Sequence, residues 1–215
     1  MPQAYNIKIE RNFIMKKVLS VILALAAVLV LFSSCNKESK PIESGEYTYV
    51  VLEDDTAKIT KYNGTQTVVT LEMPSVLDEY TVTVIGSEAF AGVNNVTVVY
   101  LPETAKKIEA RAFAGSGIKN VFAHKSDIEE IGESAFAECH NLVQVDLSRE
   151  LKTVAKHAFY YCDALKVVNF RGNTESIDEF AFDACDKVKI YTSSDNTHVI
   201  NFANSCNIET KISEK

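Results

Sequence analysis

Cys139, Cys162 and Cys185 stand 23 residues apart, a spacing regular enough to suggest a thiol site. A tetrahedral thiolate centre needs a fourth donor in the same cluster. None shares this register, since His124, His140, His157 and His198 fall at unrelated places in the pattern. If the spacing is that of a repeat, equivalent side chains stack about 5 Å apart and point the same way, a poor geometry for a disulfide. The set therefore reads first as a buried column of small thiols supporting a turn. A disulfide between neighbours is the alternative, and a metal site comes last.

Other catalytic spacings are missing. There is no His-Glu-x-x-His, Cys-x-x-Cys, Gly-x-Ser-x-Gly or phosphate-cradling Gly-rich element. Ser116, between Gly115 and Gly117, imitates a nucleophile turn but reads as a repeat corner. The acid pairs Asp54-Asp55 and Glu129-Glu130 fall in turn segments and read as solvated. The sequence thus predicts a protein that is not an enzyme and needs no cofactor or metal. An enzyme with a site built from unmotifed residues is a third and lesser reading, which a pocket with converging acids or histidines would mark.

The elements that would position any site are set by a 23-residue period. Phe90, Phe113, Phe136, Phe159 and Phe182 repeat at that interval, each preceded by Ala (89, 112, 135, 158, 181). Five residues before each Phe stands Ile85, Ile108, Ile131, Val154 or Ile177. Apolar pairs two residues apart follow, as in Val99/Leu101, Val145/Leu147 and Val168/Phe170, which is the period of a strand with alternate side chains inward. The Ala-Phe pair reads as helical or turn-like. One such unit cannot bury its own apolar face, so the units must stack into a solenoid with a parallel strand ladder on one side.

These residues resemble the BspA-like type of leucine-rich repeat, with units close to I-G-x-x-A-F-x-x-C-x-x-L-x-x-I-x-L-P. Ile85-Gly86, Ile131-Gly132 and Leu101-Pro102 carry that signature, and the resemblance runs over about residues 46–208. It implies an α/β leucine-rich repeat solenoid. It also implies a surface or secreted protein of the kind found in gut and oral anaerobes, some of which adhere to host matrix proteins.

Five repeats are expected over residues 85–192, an N-terminal β cap over 46–84 and a C-terminal cap over 193–215. Tyr47–Leu52, Ala57–Tyr62 and Thr67–Leu71 are strand-like, and Asn63-Gly64 is a strong turn signal. Val199, Ile200, Phe202 and Ala203 have helical spacing, with Ile208 closing the last layer and Cys206 packed in the cap.

Upstream, Met15-Lys16-Lys17 and the apolar run from Val18 to Phe32 have the form of a signal peptide, shorter than the roughly 20 residues of a spanning helix. Ser33-Ser34-Cys35 then resembles the lipobox of bacterial lipoproteins. That resemblance implies residues 1–34 as a cleaved signal starting at Met15, Cys35 as the lipidated residue, and residues 35–45 as a solvated tether. It implies location at the cell envelope, at the outer membrane or cell surface, with the lipid as the membrane contact. Removing residues 1–34 takes away four bases (Lys8, Arg11, Lys16, Lys17) and one acid (Glu10), moving the formal charge from −7 to −10. With no basic block, nucleic acid is excluded as a partner. Ionic attraction, read from net charge alone, favours a basic ligand.

What remains is a surface. Strand phase places Val98 and Tyr100, Asn120, Phe122 and His124, Gln144 and Asp146, Val167, Asn169 and Arg171, and Lys189 and Tyr191 on one outward face. Exposed aromatics beside polar groups have no core to fill and suit recognition. Tyr100, Phe122, His124, Asp146, Asn169, Arg171 and Tyr191 are the expected ligand contacts, for a protein or glycan partner outside the cell or in the envelope. A generic sheet face is the plainer reading, and the corner at Tyr160-Tyr161 is a second candidate. A structural envelope module that partners another membrane protein is the alternative function.

Overall fold

The computed structural model describes residues 38–213. Cys35, the signal segment and the first three residues of the expected tether therefore lie outside the described residues. The rest of that tether is not free chain, because Ile42–Ser44 pairs as a strand.

A β meander opens the described residues: β1 (Ile42–Ser44), β2 (Tyr47–Val51) and β3 (Thr56–Tyr62) pair antiparallel in that order. The turn between β2 and β3 contains Asp55 in the left-handed region. After Asn63-Gly64 the chain does not fold back on β3. It crosses to a second sheet, where β4 (Val68–Glu72) runs parallel to β7 (Val96–Tyr100). β5 (Val76–Leu77) turns into β6 (Tyr80–Ile85), which lies parallel to β3. The expected cap thus contributes a strand to each ladder.

From there each coil supplies two short strands. The first ladder continues through β8 (Lys107–Ile108), β10 (Glu130–Ile131), β12 (Thr153–Val154) and β14 (Ser176–Ile177). The second continues through β9 (Asn120–Phe122), β11 (Gln144–Asp146), β13 (Val167–Asn169) and β15 (Lys189–Thr192). Helix α1 (Thr197–Ser205) buries Val199, Phe202 and Ala203 over the open end, and β16 (Glu209–Ile212) adds a last parallel strand beside β15.

Two expectations change. There are two strand ladders and not one, because the Ile position forms a two-residue strand too short to show alternation in sequence. The fold is also mostly sheet: the Ala-Phe segments are turns, and α1 alone is helical among the described residues. The backbone explains the turns. The residue two before each of Phe90, Phe113, Phe136 and Phe159 is left-handed (Glu88, Arg111, Ser134, His157), and so is the residue two after (Gly92, Gly115, Glu138, Tyr161). Left-handed residues at both flanks stop a helix from propagating. The turn amides bond across coils instead: Phe90, Phe113, Phe136 and Phe159 donate to the carbonyls of Ala112, Ala135, Ala158 and Ala181 at 2.7–2.8 Å.

That spacing threads one aromatic stack through the core. Tyr62, Phe90, Phe113, Phe136, Phe159 and Phe182 follow one another at centroid distances of 5.2, 5.0, 5.0, 5.2 and 4.9 Å, and Phe202 of α1 closes the end at 6.0 Å. The Ile-Gly pairs carry a steric signature: a Cβ on Gly132 would sit 2.8 Å from the backbone of Glu109 and Ala110 in the preceding coil. The cysteine column is polar in use. Cys139, Cys162 and Cys185 donate to the carbonyls of Phe113, Phe136 and Phe159 at 3.0–3.1 Å, and Ser116 takes the same position one coil earlier. All three are free thiols. The two neighbouring thiols, together with burial, push the Cys162 pKa up.

Candidate ligand-binding face

The register of the second ladder aligns side chains in rows. Glu72, Tyr100, Phe122, Asp146, Asn169, Tyr191 and Lys211 occupy one row, each paired with the next. Thr70, Val98, Asn120, Gln144, Val167, Lys189 and Glu209 form the row two residues upstream. The structure therefore brings five of the expected contact residues into one line. His124 and Arg171 sit two residues further along, where the chain leaves β9 and β13.

At one end of the row Tyr100 and Phe122 stack at 4.8 Å and 23°, with His124 edge-on to Phe122 at 6.0 Å. Tyr100 stays 37% exposed, so the pair offers a flat apolar platform to solvent. At the centre of the row is an ion pair. Asp146 faces outward but is only 4% exposed. Arg171 covers it with a two-pronged contact, Nε to Oδ1 at 2.6 Å and the terminal nitrogen to Oδ2 at 2.8 Å. His124 Nδ1 approaches Oδ2 from the other side at 3.3 Å, outside hydrogen-bond geometry. Asp146 thus holds Arg171 in place from beneath. Its carboxylate holds the Arg171 guanidinium above the ordinary pKa, chiefly through the hydrogen bond. Ser126 and Ser148, two residues beyond His124 and Asp146, are buried and donate to backbone carbonyls.

Beyond Arg171 the face opens into a cavity of about 630 Å³ lined by Arg149, Asn169, Phe170, Arg171, Tyr191, Ser193 and Ser213. Arg149, Ser193 and Ser213 were not legible as site residues. They lie in connections after strands, outside the alternation that marks the outward set. Lys189 and Lys211 flank Glu209 at 2.6 and 2.5 Å, and those hydrogen bonds hold the Glu209 carboxyl down to a pKa of about 2.

The Tyr160-Tyr161 corner is a second exposed aromatic group. Phe180 joins it through His157, with ring distances of 5.1 Å to Tyr160 and 6.0 Å to Phe180, and His140 meets Tyr161 edge-on at 5.5 Å. Tyr161 is 49% exposed and Phe180 43%.

A sequence model described as the BspA type Leucine rich repeat region matches residues 62–189 in six copies. The chain belongs to the BspA-type leucine-rich repeat family. The first residue of the match, Tyr62, is also the first ring of the aromatic stack. Several solved structures resemble it. A leucine-rich repeat protein from Bacteroides capillosus is 30% identical, with 71% of this chain and 99% of that one covered at a TM-score of 0.47. A leucine-rich cell surface protein from Faecalibacterium prausnitzii is 21% identical over 74% of this chain and 56% of its own, at a TM-score of 0.50. The pneumococcal vaccine antigen PcpA is 19% identical over 74% of this chain and 51% of its own, at a TM-score of 0.57. No curated protein matches the sequence. No helix among the described residues is long and apolar enough to cross a membrane.

Proposed function

We propose that this BspA-type repeat protein is a non-enzymatic recognition module of the cell envelope, lipid-anchored through Cys35 and displaying the outward face of its second ladder to an external protein or glycan. The observation that carries the reading is the solvent-facing Tyr100–Phe122 stack, aligned in register with Asn169 and Tyr191. A generic sheet face does not need an aromatic platform in water, whereas recognition depends on a few aromatic and Arg anchors. Kinship supports the location, since the Faecalibacterium relative is described as a cell surface protein.

The test is a binding screen of the purified protein against host matrix proteins and glycans, repeated with Tyr100→Ala and Phe122→Ala. Each variant should weaken binding by at least about 1 kcal/mol while leaving the melting temperature nearly unchanged. Binding that survives loss of Tyr100, Phe122 and Tyr191 together moves the site elsewhere. The exposed Tyr160, Tyr161 and Phe180 corner then supports the second reading, a structural envelope module docked on another membrane protein.

A further inference from the structure

The formal charge of −7 conceals a local reversal. Among the described residues, the cavity at the far end of the binding face is lined by two arginines and no acid. Arg171 is fixed by Asp146, which takes two of its N–H donors and leaves the others for a ligand. Asp146 is 4% exposed, so it anchors the guanidinium from beneath and does not itself meet an incoming group. Because Asp146 neutralises Arg171, the uncompensated positive charge is that of Arg149, which is exposed and engaged by no ion pair among the described residues.

The other lining residues are Ser193, Ser213, Tyr191 and Asn169, with the largely buried Phe170 beneath. Two guanidiniums match the planar, bidentate geometry of a carboxylate, or the oxygens of a sulfate. Hydroxyls, an amide and one aromatic ring match the hydroxyls and apolar face of a sugar. The volume of about 630 Å³ falls within the roughly 300–1,000 Å³ of small-ligand sites. A peptide is less well served, because an extended chain binds best at an open strand edge, and here the residues belong to a sheet face and its exit loops.

We infer that this cavity is a subsite for an acidic carbohydrate, a sugar bearing a carboxylate or sulfate held between Arg149 and Arg171. The inference rests on the binding-face reading and names its ligand class, in place of the basic partner that net charge alone suggests.

The experiment is calorimetric titration of the protein with trigalacturonate and its methyl ester, and with a sulfated chondroitin disaccharide and its desulfated form. Wild-type protein should bind an acidic form at least about tenfold more tightly than its neutral counterpart, the scale of a charge-assisted hydrogen bond, and less tightly as salt rises. Arg149→Gln, which removes an exposed and unpaired side chain, should lower that affinity about tenfold at an unchanged melting temperature. Arg171→Lys, which keeps the charge over Asp146, should lower it as well, because the fork geometry is lost.

Equal binding of acidic and neutral forms, no binding of either acid, or indifference to Arg149→Gln overturns the subsite. Displacement of the sugar by an equal concentration of oligoglutamate overturns the carbohydrate class in favour of an acidic protein segment. If acidic sugars fail while another ligand is still lost in Tyr100→Ala, the face stands and the subsite falls. If no ligand responds to either set of variants, both readings fall.

Discussion

Replacing Phe136 by Ala tests the stack that holds the solenoid together. The ring is 1% exposed and lies between Phe113 at 5.0 Å and 5° and Phe159 at 5.2 Å and 2°. Losing a fully buried Phe side chain forfeits about 1.5–3 kcal/mol of transfer free energy. Two stacked partners each lose a contact worth about 0.5–1.5 kcal/mol. Together these give about 2.5–6 kcal/mol, which brackets the about 3–5 kcal/mol of buried Phe→Ala changes. The position amplifies the loss, since in a solenoid a central unit serves an interface on each side. Phe182 makes the comparison: it stacks on Phe159 at 4.9 Å, but its other ring neighbours are Phe202, tilted by 52°, and Phe170, edge-on at 6.5 Å, and it is 6% exposed. Its truncation should cost less. Gln144→Ala, on the outward row, should stay within about 0.5 kcal/mol. Urea unfolding followed by far-ultraviolet circular dichroism measures all three as shifts in midpoint at constant slope. Equal effects of Phe136→Ala and Gln144→Ala, or a larger effect at Phe182 than at Phe136, would refute the assigned register.

The N-terminal meander should respond to alkali. Tyr49 is 1% exposed and donates to Asp78 at 2.7 Å, so burial first and that hydrogen bond second push its pKa up to about 12. An unfolded Tyr ionises near 10, so this contribution is intact below about pH 10 and is lost as pH rises toward 12. The urea midpoint should fall over that interval and fall less steeply in Tyr49→Phe; identical profiles would exclude the mechanism. Upstream of the meander, Cys35→Ser should release the protein from membranes and abolish labelling by a fatty-acid analogue. Unchanged labelling in the mutant would dismiss the anchor.

Much of the fold is legible without coordinates, because a repeat writes the same burial problem many times. Phe90 to Phe182, with their Ala neighbours, specify a stacked turn, and pairs such as Val145/Leu147 set the phase of the second ladder. That phase was enough to place Tyr100, Phe122, Asp146, Asn169 and Tyr191 in one row. Two features escape such a reading for the same reason. A two-residue strand such as Glu130–Ile131 has no period, and a turn closed by hydrogen bonds to the next coil has no local signal separating it from a helix.

The site divides along the same line. Which residues face outward follows from alternation, a property of one strand and therefore of the local sequence. Whether they meet solvent depends on neighbours one or more coils away. Asp146 points outward yet is covered by Arg171, 25 residues later, and Arg149 joins Ser213 around one cavity across 64 residues of chain. Net charge is likewise a sum over sequence, whereas the potential at a binding face is set by the few charges that folding gathers there. The sequence by itself determined the solenoid and the identity of its exposed row. Only the stacking of coils decided which of those groups are free, because burial, ion pairing and local charge are made between coils and not within them.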